Sequence, residues 1–219
     1  MPQVVIIGAG GHARVVADAM QACGVLLTGF VTPEIERAFG VLEGIERIGD
    51  DKDLLARNPR DFVLVNGVGS TGSPHARRDV FVKFKSAGFS FASIVHPRAI
   101  VASHVSMGEG AQIMAGAVVQ TGVRIGANSI VNTGAIVDHD TCLGDHVHVG
   151  PGAALSGDVI VGAVSHIGSG ASVIQGRRIG DEVVVGAGAA VVSNVESGST
   201  VVGVPARSIG RADARSLIR

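Results

Sequence analysis

The sequence contains no Trp and no Tyr, and only 17% of its residues are charged. Its net charge is −1, and Lys and Arg form no dense cluster. Proteins that bind nucleic acids need a positively charged surface and commonly use aromatic rings on which bases stack. The chain has neither feature, so we expect no nucleic-acid partner.

Cysteine is also rare, with two residues, Cys23 and Cys142. The apolar run at 4–7 has no basic segment before it, and it is too short for a signal peptide or a membrane span. Without a secretory signal, a disulfide framework is not expected. We therefore expect a cytoplasmic protein with reduced thiols and no membrane partner.

An aliphatic residue recurs every six positions through the region 100–206. The series is Val101, Met107, Ile113, Val119, Ile125, Val131, Val137, Leu143, Val149, Leu155, Val161, Ile167, Val173, Ile179, Val185 and Val191. Glycine recurs every eighteen residues beside it, at Gly108, Gly126, Gly144, Gly162 and Gly180. Three hexapeptides therefore make one unit, and stacked units of this length predict a parallel β-helix. A Gly-rich linker would not keep an aliphatic register for so long.

The first part of the chain has a different composition, since all seven Phe residues precede residue 92. Apolar runs there alternate with amphipathic segments, which predicts a small parallel sheet with helices on its faces. The expected strands cover 4–7, 26–31, 62–66 and 89–95, and the expected helices cover 12–22, 51–56 and 74–87. We expect a Rossmann-like domain over 1–96, a β-helix over 97–206, and a tail over 207–219 that is either a capping helix or disordered.

Gly8, Gly10 and Ala13 fit the G-x-G-x-x-G/A pattern between a strand and a helix. Such a turn brings backbone N–H groups and a helix N-terminus close to a phosphate. The second strand ends at Thr32 without the acidic residue that binds the ribose of NAD, and the sheet is about half of a dinucleotide fold. These observations favour a mononucleotide phosphate or a diphosphate over NAD, and a purely structural turn remains the other interpretation.

Small residues at 67–72 follow the third expected strand and lie at the same carboxyl edge of the sheet. Ligands bind at that edge in open α/β sheets. A plain flexible loop would have the same composition, so both interpretations stay open.

Within the repeat, His139 stands between Asp138 and Asp140. Neighbouring carboxylates stabilise an imidazolium, so this pattern suits a general base. His148 lies nine residues further on, half of an eighteen-residue coil, and should project from roughly the opposite side of the subunit. If both imidazoles serve one site, two subunits must share it. A three-sided coil then suggests a closed homotrimer.

Several motifs together resemble the bacterial sialic acid O-acetyltransferase family, which includes N-acetyltransferases acting on nucleotide-linked 4-amino-4,6-dideoxy sugars. The matching segments are 8–12, 94–97, 131–140, 148–152 and 202–207, with the Asp-His-Asp and Gly-x-Pro-Ala-Arg elements among them. The resemblance implies a left-handed β-helix and a homotrimer. It also implies acetyl-CoA in a groove between adjacent β-helices and a nucleotide-sugar on the small domain.

The resemblance also implies roles for individual residues. His139 corresponds to the general base, Asp140 to the acidic neighbour that raises its basicity, and Asn132 to a residue that orients the sugar or the base. The CoA groove would be lined by His148, Gly157, Ser169 and Ala187. The nucleotide-sugar site would include Gly10, Gly11, His12 and Gly67. Where the family commonly carries acidic residues after the second strand, this chain has Thr32, which we assign to the same site.

The expected function is direct acetyl transfer from acetyl-CoA to a nucleotide-linked amino sugar for surface-glycan biosynthesis, with His139 taking the proton from the amine. Acetylation of a hydroxyl on a sialic-acid-like sugar is the alternative within the family. Two further classes stay open. One is a zinc-dependent β-helical enzyme, although the His residues show no recognised ligand spacing, and we assign no metal site. The other is a non-catalytic sugar-binding scaffold.

Overall fold

The structure is a computed structural model that describes residues 2–33, 40–70 and 74–210. The expected tail beyond residue 210 and positions 71–72 of the small-residue loop lie outside the described residues. Within the described part, no helix combines the length and the apolar character needed to cross a membrane.

The N-terminal domain is a parallel sheet of five strands with helices packed on it. Its strands are β1 (Gln3–Ile7), β2 (Gly29–Val31), β3 (Glu46–Gly49), β4 (Phe62–Asn66) and β5 (Ser90–Phe91). Its helices are α1 (Gly11–Ala22), α2 (Asp51–Leu55) and α3 (Pro74–Ser86), with 3₁₀ turns at Gly40–Leu42 and Pro59–Asp61. The strand order β3-β2-β1-β4-β5 confirms the expected Rossmann-like arrangement.

Two details of this domain differ from the sequence-based expectation. Strand β3 was not predicted from the sequence, because Ile48 is the one aliphatic residue of the segment and no period-2 pattern appears. The expected strand over 89–95 is divided. Ser90–Phe91 pairs with β4, whereas Ile94–Val95 pairs with a strand of the repeat.

The rest of the described chain forms a left-handed parallel β-helix, as predicted. Each coil contributes one short strand to each of three flat sheets. Face 1 consists of β7 (Ile100–Val101), β10 (Val118–Val119), β13 (Ile136–Val137), β16 (Ala154–Leu155), β19 (Ser172–Val173) and β22 (Ala190–Val191). Face 2 consists of β8 (Ser106–Met107), β11 (Arg124–Ile125), β14 (Cys142–Leu143), β17 (Ile160–Val161) and β20 (Arg178–Ile179).

Face 3 is longer, because it includes the first and last strands of the β-helix. Its strands are β6 (Ile94–Val95), β9 (Gln112–Ile113), β12 (Ile130–Val131), β15 (His148–Val149), β18 (His166–Ile167), β21 (Val184–Val185), β23 (Thr200–Val202) and β24 (Arg207–Ser208). Strand β24 pairs antiparallel with β23, so the predicted tail region begins with a strand that closes this sheet.

The six-residue aliphatic series forms the interior of the β-helix. Fourteen of its members are buried in one cluster, and Val101 and Met107 at the first coil pack against that cluster while partly buried. Apolar side chains in this interior stabilise the fold by roughly 1.5–3 kcal/mol each when fully buried. None of the described Phe residues enters this cluster, since their rings pack in the sheet domain instead.

The eighteen-residue glycine register has a steric cause. A Cβ placed on Gly126 would lie 2.6 Å from the backbone N of Asp145 in the next coil. A Cβ on Gly108 or Gly180 would lie 2.5 Å from the backbone N of Ala127 or Ser197 respectively. At this corner successive coils therefore approach too closely for any side chain.

The N-terminal domain covers the outer side of face 3. Ile130 projects outward from β12 and is completely buried among side chains of α1 and β1. Gln112 projects from β9 and donates from Nε2 to the carbonyl O of Asn66 at the end of β4, at 2.8 Å. The carboxyl edge of the α/β sheet is thus fixed directly on the β-helix.

The glycine register predicts the effect of one substitution. Gly126→Ala should lower the free energy of unfolding by roughly 1–3 kcal/mol, because the methyl group overpacks the contact between coils. The matched control is Gly152→Asn, since Gly152 has φ of 66° and open space around it, and Asn tolerates that conformation. Chemical unfolding of both variants checks this. An equal loss in the two variants would contradict the steric explanation.

Candidate active site

His139 and Asp140 lie at the exposed corner between face 1 and face 2, directly after β13. Nδ1 of His139 is 2.9 Å from Oδ2 of Asp140, and the two side chains are 57% and 68% exposed. The backbone N–H of His139 donates to Oδ1 of Asp138 at 2.8 Å, which fixes the start of the turn. With Nδ1–H directed at the carboxylate, Nε2 carries the free lone pair of the neutral ring.

The carboxylates around His139 change its acid strength. The hydrogen bond to Asp140 raises the pKa of His139 above its usual value of 6.5, and the charges of Asp138 and Asp158 act in the same direction. The imidazole consequently stays protonated to a higher pH than a free histidine does. Once neutral, it is a stronger base, as proton abstraction requires.

Two glycines leave space for this pair. A Cβ on Gly157, one coil further on, would collide with Nε2 of His139, and a Cβ on Gly122, one coil before, would lie 2.5 Å from Oδ1 of Asp140. Asp140 itself has φ of 60° in the left-handed region, where a short polar side chain is tolerated. The structure thus brings Gly157, a predicted CoA residue, against the reactive edge of the imidazole.

A cavity lined mainly by glycine lies at the carboxyl edge of the α/β sheet. It has a volume of about 280 Å³ and is lined by Gly8, Gly10, Gly11, His12, Gly67, Val68, Gly69 and Ala76. Gly10 caps the N-terminus of α1 without a side-chain hydrogen bond to the first turn. A Cβ on Gly67 would lie 2.8 Å from that of Ala13, so the glycine turn and the loop after β4 approach as closely as backbone allows. Four predicted substrate residues, Gly10, Gly11, His12 and Gly67, meet here.

A buried guanidinium lies beneath this cavity. Arg77 on α3 is 1% exposed and donates to three carbonyl oxygens, those of Asn66, Val68 and Asn128, at 2.7–2.9 Å. Within the described residues it pairs with no carboxylate, and its Nη2 has no hydrogen-bond partner. Burial lowers the pKa of Arg77 to about 9, so it remains a cation at neutral pH.

The predicted CoA residues do not lie together in the single chain. His148 is 6% exposed, and Nδ2 of Asn132 lies 3.0 Å from its Nε2. Ser169 and Ala187 lie on the exposed corner between face 3 and face 1. The predicted CoA set is therefore divided among His148 at the domain junction, Gly157 beside His139, and two residues on another corner.

Thr32 is buried at the end of β2. Its backbone N–H donates to the O of Gly49, and its carbonyl O accepts from Nε and Nη2 of Arg47. It is not part of the lining of the cavity at Gly8–Gly11. Its assignment to the substrate site stays a prediction.

Among the described residues, no group of three or more His, Cys, Asp or Glu side chains is arranged to hold a metal ion. The two thiols, Cys23 and Cys142, are both free.

With this geometry established, likeness to known proteins becomes informative. Residues 3–84 match the model of the PglD N-terminal domain, and residues 104–139 match that of the bacterial transferase hexapeptide with six repeats. The fold is similar to the acetyltransferase domain of PglB from Neisseria gonorrhoeae FA1090, solved in complex with acetyl coenzyme A. The identity is 37% over 94% of this chain and 98% of that chain, with a TM-score of 0.85.

PerB from Caulobacter crescentus, solved in complex with CoA and GDP-perosamine, is also 37% identical, with 96% of this chain and 98% of that chain covered and a TM-score of 0.88. The chain belongs to the PglD-like family of hexapeptide-repeat nucleotide-sugar acetyltransferases. WeeI from Acinetobacter baumannii AYE, 22% identical over 95% of this chain and all of that chain, has the same fold with a TM-score of 0.81. No curated protein matches the chain.

Membership of the PglD-like family confirms the resemblance that the motifs carried. Two residues near the sites described above, Gly122 and Arg77, were not predicted from the sequence. They gave no separate signal, because Gly122 is a repeat glycine among many and Arg77 is one of four Arg and Lys residues on α3. Ser70 lies in the predicted small-residue segment 67–72, but its contacts with His148 and His166 were not predicted, because these residues are far apart in the sequence.

The His139–Asp140 contact in this PglD-like protein makes a testable prediction. In Asp140→Asn, the pKa of His139 should fall, because the charged hydrogen-bond acceptor is lost. Asp158→Asn should lower it less, because Asp158 acts by charge at a distance. Titration of the His139 ring by NMR measures both. An unchanged pKa in Asp140→Asn would contradict the assigned contact.

Proposed function

We propose that the protein transfers the acetyl group of acetyl-CoA to the amino group of a nucleotide-linked 4-amino-4,6-dideoxy sugar, in the biosynthesis of a surface glycan. The observation that carries the proposal is the exposed His139–Asp140 pair, in which the Nε2 edge of the imidazole lies against Gly157 with no side chain between them. PglB and PerB support the co-substrate and the acceptor, since their solved complexes contain acetyl coenzyme A, or CoA with GDP-perosamine.

In the proposed reaction, the acceptor amine reacts in its neutral form, and its lone pair forms a bond to the thioester carbonyl carbon. Nε2 of His139 removes one proton from the attacking nitrogen, which leaves a tetrahedral oxyanion. When this intermediate collapses, the C–S bond breaks, and the imidazolium protonates the departing CoA thiolate. Asp140 stabilises the imidazolium between these two steps. No covalent acyl-enzyme is needed.

The cavity at Gly8–Gly11 is the proposed site for the nucleotide-sugar. No side chain caps the N-terminus of α1, so its first backbone N–H groups are available to a diphosphate, as helix N-termini are for anions. The buried cation Arg77 lies under the loop that lines the same cavity, and the described residues supply no carboxylate to neutralise it. Both features favour an anionic ligand.

We further propose a homotrimer with active sites between subunits. The cavity lies over face 3, whereas His139 lies at the corner of faces 1 and 2, so the two predicted halves of the site are on different sides of one chain. The outer side of face 1 carries aliphatic residues that no described part of the chain covers, with Ile100 68% and Ile136 45% exposed. Exposed apolar surface of this kind supports contact with a second subunit.

A cytoplasmic location is part of the proposal. Two free cysteines are compatible with a reducing compartment.

The test replaces His139 and measures CoA thiol release with UDP-, GDP-, CMP- and dTDP-linked amino and hydroxy sugars. His139→Ala should reduce turnover by about 10²–10⁴-fold, the usual contribution of a general base. Acetyl-CoA binding and the oligomeric state should not change. His104→Ala is the matched control, because His104 is an exposed histidine of the same β-helix.

Retained turnover in His139→Ala would overturn the proposed base. Turnover with hydroxy sugars and none with amino sugars would replace N-acetylation by O-acetylation. Sugar binding without thiol release in the wild type would indicate a binding scaffold.

A further inference from the structure

A network of hydrogen bonds crosses the junction between the two domains, and it does not include His139 or Asp140. Ser70 Oγ is hydrogen-bonded to Nδ1 of His148, and it lies 2.8 Å from Nδ1 of His166. Ser70 is 2% exposed and His148 6% exposed, so water does not compete for these bonds. The two histidines occupy paired positions on neighbouring strands β15 and β18.

The direction of each bond follows from the backbone. The N–H of Thr133 donates to Oδ1 of Asn132 at 2.8 Å, so the amide Nδ2 of Asn132 faces His148 and donates to its Nε2. That Nε2 carries no proton. Burial lowers the pKa of His148 well below its usual value, so the ring is neutral and its one proton is on Nδ1.

The remaining positions are then determined. Nδ1–H of His148 donates to Ser70 Oγ, and the hydroxyl of Ser70 donates to Nδ1 of His166. Burial lowers the pKa of His166 to about 4, so it is also neutral, with its proton on Nε2. Because His148 donates to Ser70, it cannot act as a base that activates the serine as a nucleophile.

The chain of bonds has a mechanical consequence for the cavity. Gly67, Val68 and Gly69 line it, and Ser70 is the next residue. The start of this loop is held by Asn66, whose Oδ1 accepts from the N–H of Val68 at 3.0 Å, and by Arg77. In the described part of the loop, the side chain that attaches the other end to the β-helix is that of Ser70.

We propose that Ser70 is a positioning residue, whose hydroxyl accepts from His148, fixes the tautomer of His166 and holds the loop 67–70 on face 3 in the conformation that receives the nucleotide-sugar. The inference rests on the proposed function of the cavity, and it adds a residue that no part of that function required.

The tautomers are tested on the full-length protein labelled with ¹⁵N-histidine. Ring ¹⁵N chemical shifts should show His148 protonated at Nδ1 and His166 at Nε2. In Ser70→Ala the Nδ1 shift of His148 should change, because its Nδ1–H loses its acceptor, and the His166 pattern should change, because its Nδ1 loses its donor. Protonation of wild-type His148 at Nε2, or a pattern that Ser70→Ala does not alter, would overturn the proposal.

The positioning role is tested by steady-state kinetics with a panel sugar that supports turnover. Ser70→Ala should raise KM for the nucleotide-sugar about tenfold, the effect expected when a buried hydrogen bond is lost. It should leave kcat and KM for acetyl-CoA within about twofold. Ser93→Ala is the control, because Ser93 also bonds across the junction, to the O of Gly108, but lies outside the cavity.

An unchanged KM for the nucleotide-sugar in Ser70→Ala, or an equal rise in Ser93→Ala, would overturn the positioning role. Failure of the proposed function gives a different result. It would appear as wild-type protein that turns over no sugar of the panel while His148 remains protonated at Nδ1.

Discussion

The close stacking of eighteen-residue coils is the constraint on which the rest of the structure depends. At one corner the coils approach so closely that a Cβ on Gly126 would lie 2.6 Å from the next backbone. Parallel strands stacked in this way keep a fixed side-chain register, so equivalent positions of successive coils align. That alignment places Gly157 against His139 and stacks His148 on His166. The stacked coils of the β-helix therefore fix the geometry around His139 and His148.

The junction between the domains is held by polar groups as well as apolar ones. Arg77 is buried without a carboxylate in the described chain, yet three backbone carbonyls accept its hydrogen bonds. A buried charge is costly unless it is well bonded, so this network tolerates few alternative positions of the loop after β4. This network therefore fixes the orientation of the small domain, and of its cavity, on face 3.

The sequence predicted the parts of this structure that repeat or alternate. The aliphatic period located the interior residues, and the loss of Phe after residue 91 marked the change of architecture. It could not predict which outer face is covered. Ile130 and Ile136 occupy equivalent outward positions, but one is fully buried by the N-terminal domain and the other is 45% exposed. The contacts of Ser70 with His148 and His166 were not predicted either, because these residues are far apart in the sequence and close only in the folded chain, although the segment 67–72 itself was placed at the edge of the sheet.

The central claim is that His139 of one subunit serves the nucleotide cavity of another, and mixed oligomers test it directly. Gly10→Asp should inactivate the cavity by repelling an anionic ligand, while a Cβ there meets no atom within 4 Å and Asp is a favourable N-cap. Each of Gly10→Asp and His139→Ala should be inactive alone. Co-expressed in equal amounts, they should regain about one quarter of wild-type turnover per site, because random assembly pairs an intact His139 with an intact cavity at that frequency. Mixed oligomers that remain inactive would contradict the account.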